Sequence, residues 1–202
     1  MQFFHTLLIA SFCILSTVFA TNVHVAGENK MGEIKILAKI NQGVVTNYDI
    51  SNRIEFLQIL TPEMKKATKE EKQYYAMQSL VQDELRTEYA KKINFKLNKE
   101  QKIQNRSVII ANMRKENVPK SAIEKNESFI ESEVLWQAVV DTVIRPKIQI
   151  SPEMVRSIAE KNKKLSNAQI ESIAIEQQIQ VQSAQIIEAM RKISIIEFTQ
   201  DQ

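Results

Sequence analysis

Residues 34–46 alternate apolar and polar side chains, the pattern of a half-buried β-strand. In an extended chain one face of this segment carries Ile34, Ile36, Ala38 and Ile40. Asn41-Gln42-Gly43 follows as a turn, in which we expect Gly43 to take a positive φ. Val44-Val45 then returns as a second short strand, so the segment predicts a β-hairpin.

Two capping boxes predict where helices begin. Thr46 with Asp49 opens a helix that runs to about Leu60 and stops at Thr61-Pro62. Asn98 with Gln101 opens another, which runs to about Glu116. Three apolar side chains of this second helix are expected to point inward, namely Ile103, Ile110 and Met113.

The longest apolar stripe runs from Lys69 to Ile93 and predicts a helix of that length. Its apolar positions recur at spacings of three and four residues, and they are Tyr74, Met77, Val81, Leu85 and Tyr89, with Leu80 beside them. The other side carries charges of both signs, namely Lys69, Glu70, Glu71, Lys72, Asp83, Glu84, Arg86 and Glu88. We expect that charged side to face solvent.

The C-terminal half also predicts helices. Residues 128–144 form an apolar stripe that places Trp136 in the core, and Ser151-Pro152 begins a helix with Ser as its N-cap. The β-branched run 170–175 predicts a strand, and residues 177–193 predict a final helix. We therefore predict a mainly α fold with a short N-terminal β-hairpin.

An uncharged stretch at residues 6–19 ends in Val18-Phe19-Ala20, the small-residue pattern of a signal-peptidase site. We predict a cleaved signal peptide over residues 1–20, with cleavage after Ala20, and a flexible leader over 21–33. An uncleaved membrane anchor and a lipoprotein processed at Cys13 are the alternatives. For the mature chain we expect no stable membrane span.

Composition excludes several kinds of site. With 1 Cys and 2 His the chain cannot build a Cys/His zinc cage, and its 3 Gly leave no Gly-rich phosphate loop. We therefore expect no metal, no cofactor and no catalytic residue. A net charge of +3 is too small to argue for nucleic acid, so none is expected as a partner.

Three segments, in order, resemble the N-terminal domain of SurA-type periplasmic chaperones, which belong with the parvulin peptidyl-prolyl isomerases. The first is the hairpin and helix start at residues 36–50. The second is the end of the long helix and the turn after it at 80–101, where Asn94 stands at a position that is usually Gly in the family. The third is 134–155, which is similar to the last long helix of the domain and the link that follows it.

The resemblance covers about residues 34–158 and implies a SurA N-terminal-like chaperone domain over 34–160. The family usually continues into parvulin domains, whereas only a tail of 161–202 follows here. That tail is either the degenerate start of a parvulin domain or a helix that folds back to complete the core. A parvulin site uses histidines, and the mature chain has only His24, so we expect no isomerase activity.

The resemblance implies a periplasmic, ATP-independent holdase that binds unfolded or extended polypeptides, chiefly outer-membrane proteins, through an apolar groove. Adaptable thioether and aromatic side chains suit such a groove, and the candidates are Met64, Tyr74, Tyr75, Met77, Met113 and Phe129. Burial in the core is the competing interpretation for each. The alternative function is an exported structural or adaptor protein that binds one folded partner, and self-association is left open.

Overall fold

The computed structural model describes residues 33–199. Within this range, a three-stranded antiparallel sheet joins the N-terminal and C-terminal segments. The strands are β1 (Ile36–Ile40), β2 (Gly43–Thr46) and β3 (Ile196–Phe198), in the order β2-β1-β3. The predicted hairpin is confirmed as β1 and β2. The third strand was not predicted, because three residues are too few to show an alternating pattern.

The hairpin turn does not use Gly43 as predicted. Asn41 has the positive φ, at 52°, and the glycine needs no such conformation. Asn41 also holds the far end of the chain, since its backbone N–H donates to the carbonyl of Ile195 at 2.8 Å. Its side-chain Oδ1 accepts from the N–H of Ile195 at 3.0 Å. Asn94, in the turn after the long helix, has a φ of 52° as well, in line with the expectation that Asn can replace Gly there.

Helices make up most of the described chain. Their bounds are α1 Asn47–Leu60, α2 Lys69–Lys92, α3 Lys99–Lys115, α4 Lys120–Lys125, α5 Glu127–Val139, α6 Pro152–Lys161 and α7 Asn167–Ile193. A π-helical turn, Val140–Ile144, continues α5, and 3₁₀ turns span Pro62–Lys66 and Arg145–Lys147. The fold is mainly α with a short N-terminal β-hairpin, as predicted.

Local side-chain chemistry explains where these helices begin. The predicted capping boxes are present at Thr46 with Asp49 and at Asn98 with Gln101. In each, the first side chain accepts from the backbone N–H three residues on, and the second accepts from the N-cap N–H. The predicted N-cap of α6, Ser151, accepts from the N–H of Met154 at 3.1 Å.

The main core surrounds α2. It joins the inner face of the hairpin to α1, α2, the end of α5 and α7, and its largest buried members include Ile40, Leu57, Val81, Leu85, Trp136 and Val139. Trp136 is 6% exposed, so the prediction that it lies in the core is confirmed. A second core lies where α3, α4 and α5 meet α1, around Phe56, Ile109, Met113 and Ile130.

The final helix shares the main core. Ile179, Ile187 and Met190 of α7 pack in the cluster that holds Trp136. The segment after residue 160 is therefore packed on the helices that precede it. The first turns of α7 pack instead against α6 in a small separate cluster around Ile158, Ile170 and Ala174.

The predicted strand at residues 170–175 is wrong, because these residues belong to α7. Ser166 and Gln169 form a capping box that starts the helix, and Ile170 and Ala174 are buried at the four-residue spacing of one helical face. The isoleucines of this segment do not by themselves indicate a strand, since its buried positions recur at the helical period.

The inward position predicted for Ile103 is also wrong, because this side chain is 57% exposed. The face of α3 that meets α5 contains Lys102, Arg106, Ile109 and Met113, at spacings of four, three and four residues. Ile103 lies one position away from that face and turns outward. The signal peptide, its cleavage after Ala20 and the leader up to residue 32 lie outside the described residues.

Candidate functional site

A cleft of about 530 Å³ opens between β2 and the helices α2 and α5. Its walls mix apolar side chains with carboxylates and a single lysine. The lining residues are Ile40, Gly43, Val44, Val45, Asp49, Leu80, Asp83, Glu84, Thr87, Leu97, Lys102, Ser128, Glu131, Ser132, Val134 and Leu135.

One wall of the cleft is the edge of β2. Gly43, Val44 and Val45 all line it, although consecutive strand residues point to opposite faces. Because three consecutive residues border the cleft, the cleft lies along the edge of β2 and not on one face of the strand. Within residues 33–199, β2 pairs with β1 alone, so this edge has no strand beside it.

The hydrogen bonds between the strands show which backbone groups of β2 point to that edge. Asn41 donates to Ile195, and Thr199 donates to Leu37 at 3.0 Å, so the odd-numbered residues of β1 point their hydrogen-bonding groups toward β3. Because these groups alternate along an antiparallel strand, the even-numbered residues point theirs toward β2. Val44 lies opposite Lys39. Its N–H and C=O therefore point away from β1, along the open edge.

The other walls are single helical faces. On α2 the lining residues are Leu80, Asp83, Glu84 and Thr87, at the spacing i, i+3, i+4 and i+7. On α5 they are Ser128, Glu131, Ser132 and Leu135, at the same spacing, with Val134 beside them. These two helices pack against each other below the cleft. Leu97 and Lys102, before and within α3, complete the lining.

Glu84 lies directly against the hairpin. A Cβ atom at Gly43 would sit 2.9 Å from Cδ of Glu84 and 3.1 Å from its Oε1. A larger residue at position 43 would therefore displace this carboxylate from its position. Among residues 33–199 the Glu84 carboxylate makes no hydrogen bond or ion pair. Its burial raises the pKa of the carboxyl above the ordinary value of 4.5.

The other carboxylates of the lining are engaged within the protein. Asp49 accepts from the backbone N–H of Thr46 at 2.8 Å as part of the capping box. Glu131 forms an ion pair with Lys102 of α3. Asp83 binds Arg53 of α1. Glu84 is thus the acidic group of the cleft that is left to interact with a ligand.

Arg53 is the centre of a buried polar network beneath the cleft. It is 0% exposed, and its Nη2 donates to Oδ2 of Asp83 at 2.7 Å. Its Nε donates to Oδ1 of Asn126 at 3.2 Å, and Nη1 donates to Oγ of Ser79. The guanidinium lies over the ring of Phe129, 5.0 Å from the ring centroid. The network ties α1, α2 and the start of α5 together.

The expectation that the charged side of α2 faces solvent is wrong for Asp83 and Arg86. Both are buried, because α1 and α5 cover this side of the helix and supply charged partners. Arg86 forms an ion pair with Glu133 of α5 and lies over the ring of Trp136. Burial raises the pKa of the Asp83 carboxyl above its usual range, against the opposing effect of the two guanidinium groups.

The six residues predicted to bind peptide do not share one surface. Four of them are buried and in this conformation present no surface to a ligand: Met64, Met77, Met113 and Phe129. Their side chains fill the spaces between helices, as the competing core interpretation held. Tyr74 is exposed and Tyr75 is half-buried, and the two rings are in edge-to-face contact at 5.6 Å between centroids. The peptide-binding role of the set stays a prediction.

None of these six residues lines the cleft. The residues that do were missed because they come from strand and helix segments that are distant in sequence. One signal was available, since a glycine that is not needed for the turn conformation indicates a close approach by another group. Gly43 marks the contact with Glu84.

The described residues hold neither a metal cluster nor a membrane-spanning helix. Residues 33–199 contain no cluster of three or more His, Cys, Asp or Glu side chains arranged to hold a metal ion. In the same part of the chain, no helix has the length and apolar character needed to cross a membrane. Neither a known family model nor a curated protein matches this chain.

Proposed function

We propose that this protein is an ATP-independent chaperone of the periplasm that holds unfolded outer-membrane proteins and has no isomerase activity. The proposal rests on the resemblance of residues 34–158 to the N-terminal domain of SurA-type chaperones. The observation that carries it is the cleft, which has apolar walls and borders the edge of β2 that no strand within residues 33–199 covers. A holdase needs such a surface, and it needs neither a nucleophile nor a proton donor.

Exposed apolar side chains outside the cleft support the same proposal. Tyr48 is 46% exposed and Tyr74 is 38% exposed, next to the half-buried Tyr75. Aromatic rings at a surface offer a large contact area to an unfolded chain at a small cost in conformational entropy. These residues offer additional apolar contact area outside the cleft.

The test is the aggregation of an unfolded β-barrel protein diluted from urea into buffer, followed by light scattering. A near-stoichiometric amount of the protein is expected to delay the increase in scattering without added ATP. The control is an equal amount of a folded protein of similar size and charge. No delay with any of several unfolded β-barrel proteins would disprove the chaperone function.

A second candidate function is an exported adaptor that binds one folded partner. It is favoured by the packing of α7, since Ile179, Ile187 and Met190 occupy part of the main core and leave less apolar surface for a client. Co-purification with one folded partner, together with no effect on aggregation, would support the adaptor. Delayed aggregation of several unrelated clients would support the chaperone.

A further inference from the structure

We infer that the cleft binds an extended segment of another polypeptide as a fourth strand beside β2, and that a lysine or arginine of this segment pairs with Glu84. This inference rests on the proposed function, because it takes the ligand to be an unfolded polypeptide. It adds the place of binding and the kind of sequence that is preferred.

The backbone groups of β2 support the addition of a strand. Val44 points its N–H and C=O away from β1, along the edge that borders the cleft. An extended chain placed there would pair with these groups, as peptides do when they add to the edge of a sheet. The side chain of Val44 is 54% exposed, so it leaves apolar surface to be covered by such a strand.

The charged side chains that line the cleft indicate which kind of peptide would bind there as an added strand. The cleft contains four carboxylates and one lysine. Asp49, Asp83 and Glu131 have partners within the protein, whereas the carboxylate of Glu84 makes no hydrogen bond or ion pair among residues 33–199. Lys91, whose charge lowers the pKa of Glu84, is itself paired with Glu88. A cationic side chain would provide the missing partner, whereas a carboxylate there would be repelled.

The apolar walls define the rest of the preference. Leu80 of α2, Leu97 before α3 and Leu135 of α5 line the same cleft, and all three are half-buried. In an added strand, alternate side chains point in opposite directions. Gly43 faces Glu84, so the next residue, Val44, points to the other side of the sheet. A chain that alternates apolar and basic residues would therefore place a cation at Glu84, with the alkyl stem of this side chain against the leucines, and would place its apolar side chains beside Val44. Alternation of this kind is also what a half-buried strand of a β-barrel contains.

The test uses the full chain and three fluorescein-labelled peptides, measured by fluorescence anisotropy at low ionic strength. The peptides contain six residues that alternate Val with Lys, with Gln or with Glu. The Lys peptide is expected to bind about tenfold more tightly than the Gln peptide, and the Glu peptide more weakly still. Glu84→Gln should abolish the preference for Lys over Gln. Glu70→Gln, in the first turn of α2 and outside the cleft, should retain it.

Strand addition is tested on the peptide, so that the fold of the protein is not disturbed. N-methylation of alternate residues blocks the N–H groups on one edge of the peptide. Methylation of one of the two alternating sets should lower the affinity at least about tenfold, and methylation of the other should have little effect. Equal effects of both sets would overturn the strand geometry.

The two proposals can fail separately. If the chain delays aggregation but shows no preference for Lys, or if Glu84→Gln leaves the preference unchanged, the inference about the cleft is wrong and the chaperone function stands. If the Lys peptide binds through Glu84 but aggregation is not delayed, the chaperone function is wrong and the cleft is a peptide site of another kind.

Discussion

The guanidinium of Arg53 donates a 2.7 Å hydrogen bond to the carboxylate of Asp83 in the interior of the protein, and so joins α1 to α2. A buried ion pair of this kind contributes little net stability, because removing both charges from water offsets their attraction. Breaking it is costly, because one charge stays behind without its partner. The pair therefore fixes how the two helices pack.

Arg53→Met is expected to lower the free energy of unfolding by about 3–5 kcal/mol, because Asp83 would remain buried without its closest cation. Urea denaturation followed by circular dichroism measures the change. The control is Lys125→Met, which breaks an exposed ion pair with Glu55 and should cost about 0–1 kcal/mol. The double variant Arg53→Met with Asp83→Leu should regain much of the loss. A cost for Arg53→Met no larger than the control would contradict the role of this pair.

Gly43→Ala is expected to lower the free energy of unfolding by about 1 kcal/mol, at the low end for overpacking. The new Cβ atom would meet the flexible end of the Glu84 side chain, which can move away. In a Glu84→Ala background the same substitution should be neutral or stabilising, because alanine suits a strand better than glycine. Thermal melts of the four proteins form a double-mutant cycle. Equal effects in both backgrounds would show that the contact is unimportant.

The stability of the protein should depend on pH through Glu84. Burial raises the pKa of this carboxyl above 4.5, Asp83 and Glu88 act in the same direction, and Lys91 opposes them. The folded state therefore binds more protons than the unfolded state between pH 4.5 and the higher folded-state value. The free energy of unfolding contributed by this group falls as the pH rises through that window.

The Glu84→Gln variant is accordingly expected to have a higher free energy of unfolding than the unsubstituted protein at neutral pH. This difference should decrease as the pH falls toward 4.5. Urea denaturation at a series of pH values measures the difference between the two proteins. Glu160→Gln, which removes an exposed carboxylate on α6, is the control for the loss of one negative charge. A difference in the free energy of unfolding that increases as the pH is lowered would refute the prediction.

Two substitutions of Asn41 separate its conformation from its side-chain bonds. Asn41→Gly keeps the positive φ but loses the hydrogen bonds to the Ile195 N–H and to the Ser194 hydroxyl. Each lost hydrogen bond should lower the free energy of unfolding by about 0.5–1.5 kcal/mol. Asn41→Ala should cost about 1–2 kcal/mol more, because alanine is strained at this φ. Hydrogen exchange of residues 195–199 is the measurement, and unchanged protection in both variants would show that Asn41 does not hold β3.

Features that depend on a few neighbouring residues could be predicted from the sequence. The capping boxes at Thr46 and Asn98 are contacts within four residues, and the periodicity of α2 lies within one helix. The same rules would have found the boxes at Thr68 and Ser166, which were overlooked. Ser166 would have corrected the strand predicted at residues 170–175.

The cleft could not be predicted in the same way. Its two central groups, Gly43 and Glu84, meet only after α1 has turned the chain back on itself. The burial of Asp83 likewise depends on Arg53, which is 30 residues away. A helical period shows which residues share a face, but it does not show how many neighbouring helices cover that face. Helix α2 is covered on more than one side, so its charged positions are partly internal.

The pairing of β1 with β3 affects the order in which the chain can fold as it is made. Residues 36–40 appear early in synthesis, and their partners at 196–198 appear more than 150 residues later. The hairpin and the helices can form from local contacts, whereas the third strand closes a loop that spans nearly the whole domain. Until residue 196 is available, the side of β1 that β3 will cover is a second open edge. The growing chain therefore offers, for most of its synthesis, a sheet that can accept a foreign strand on either side.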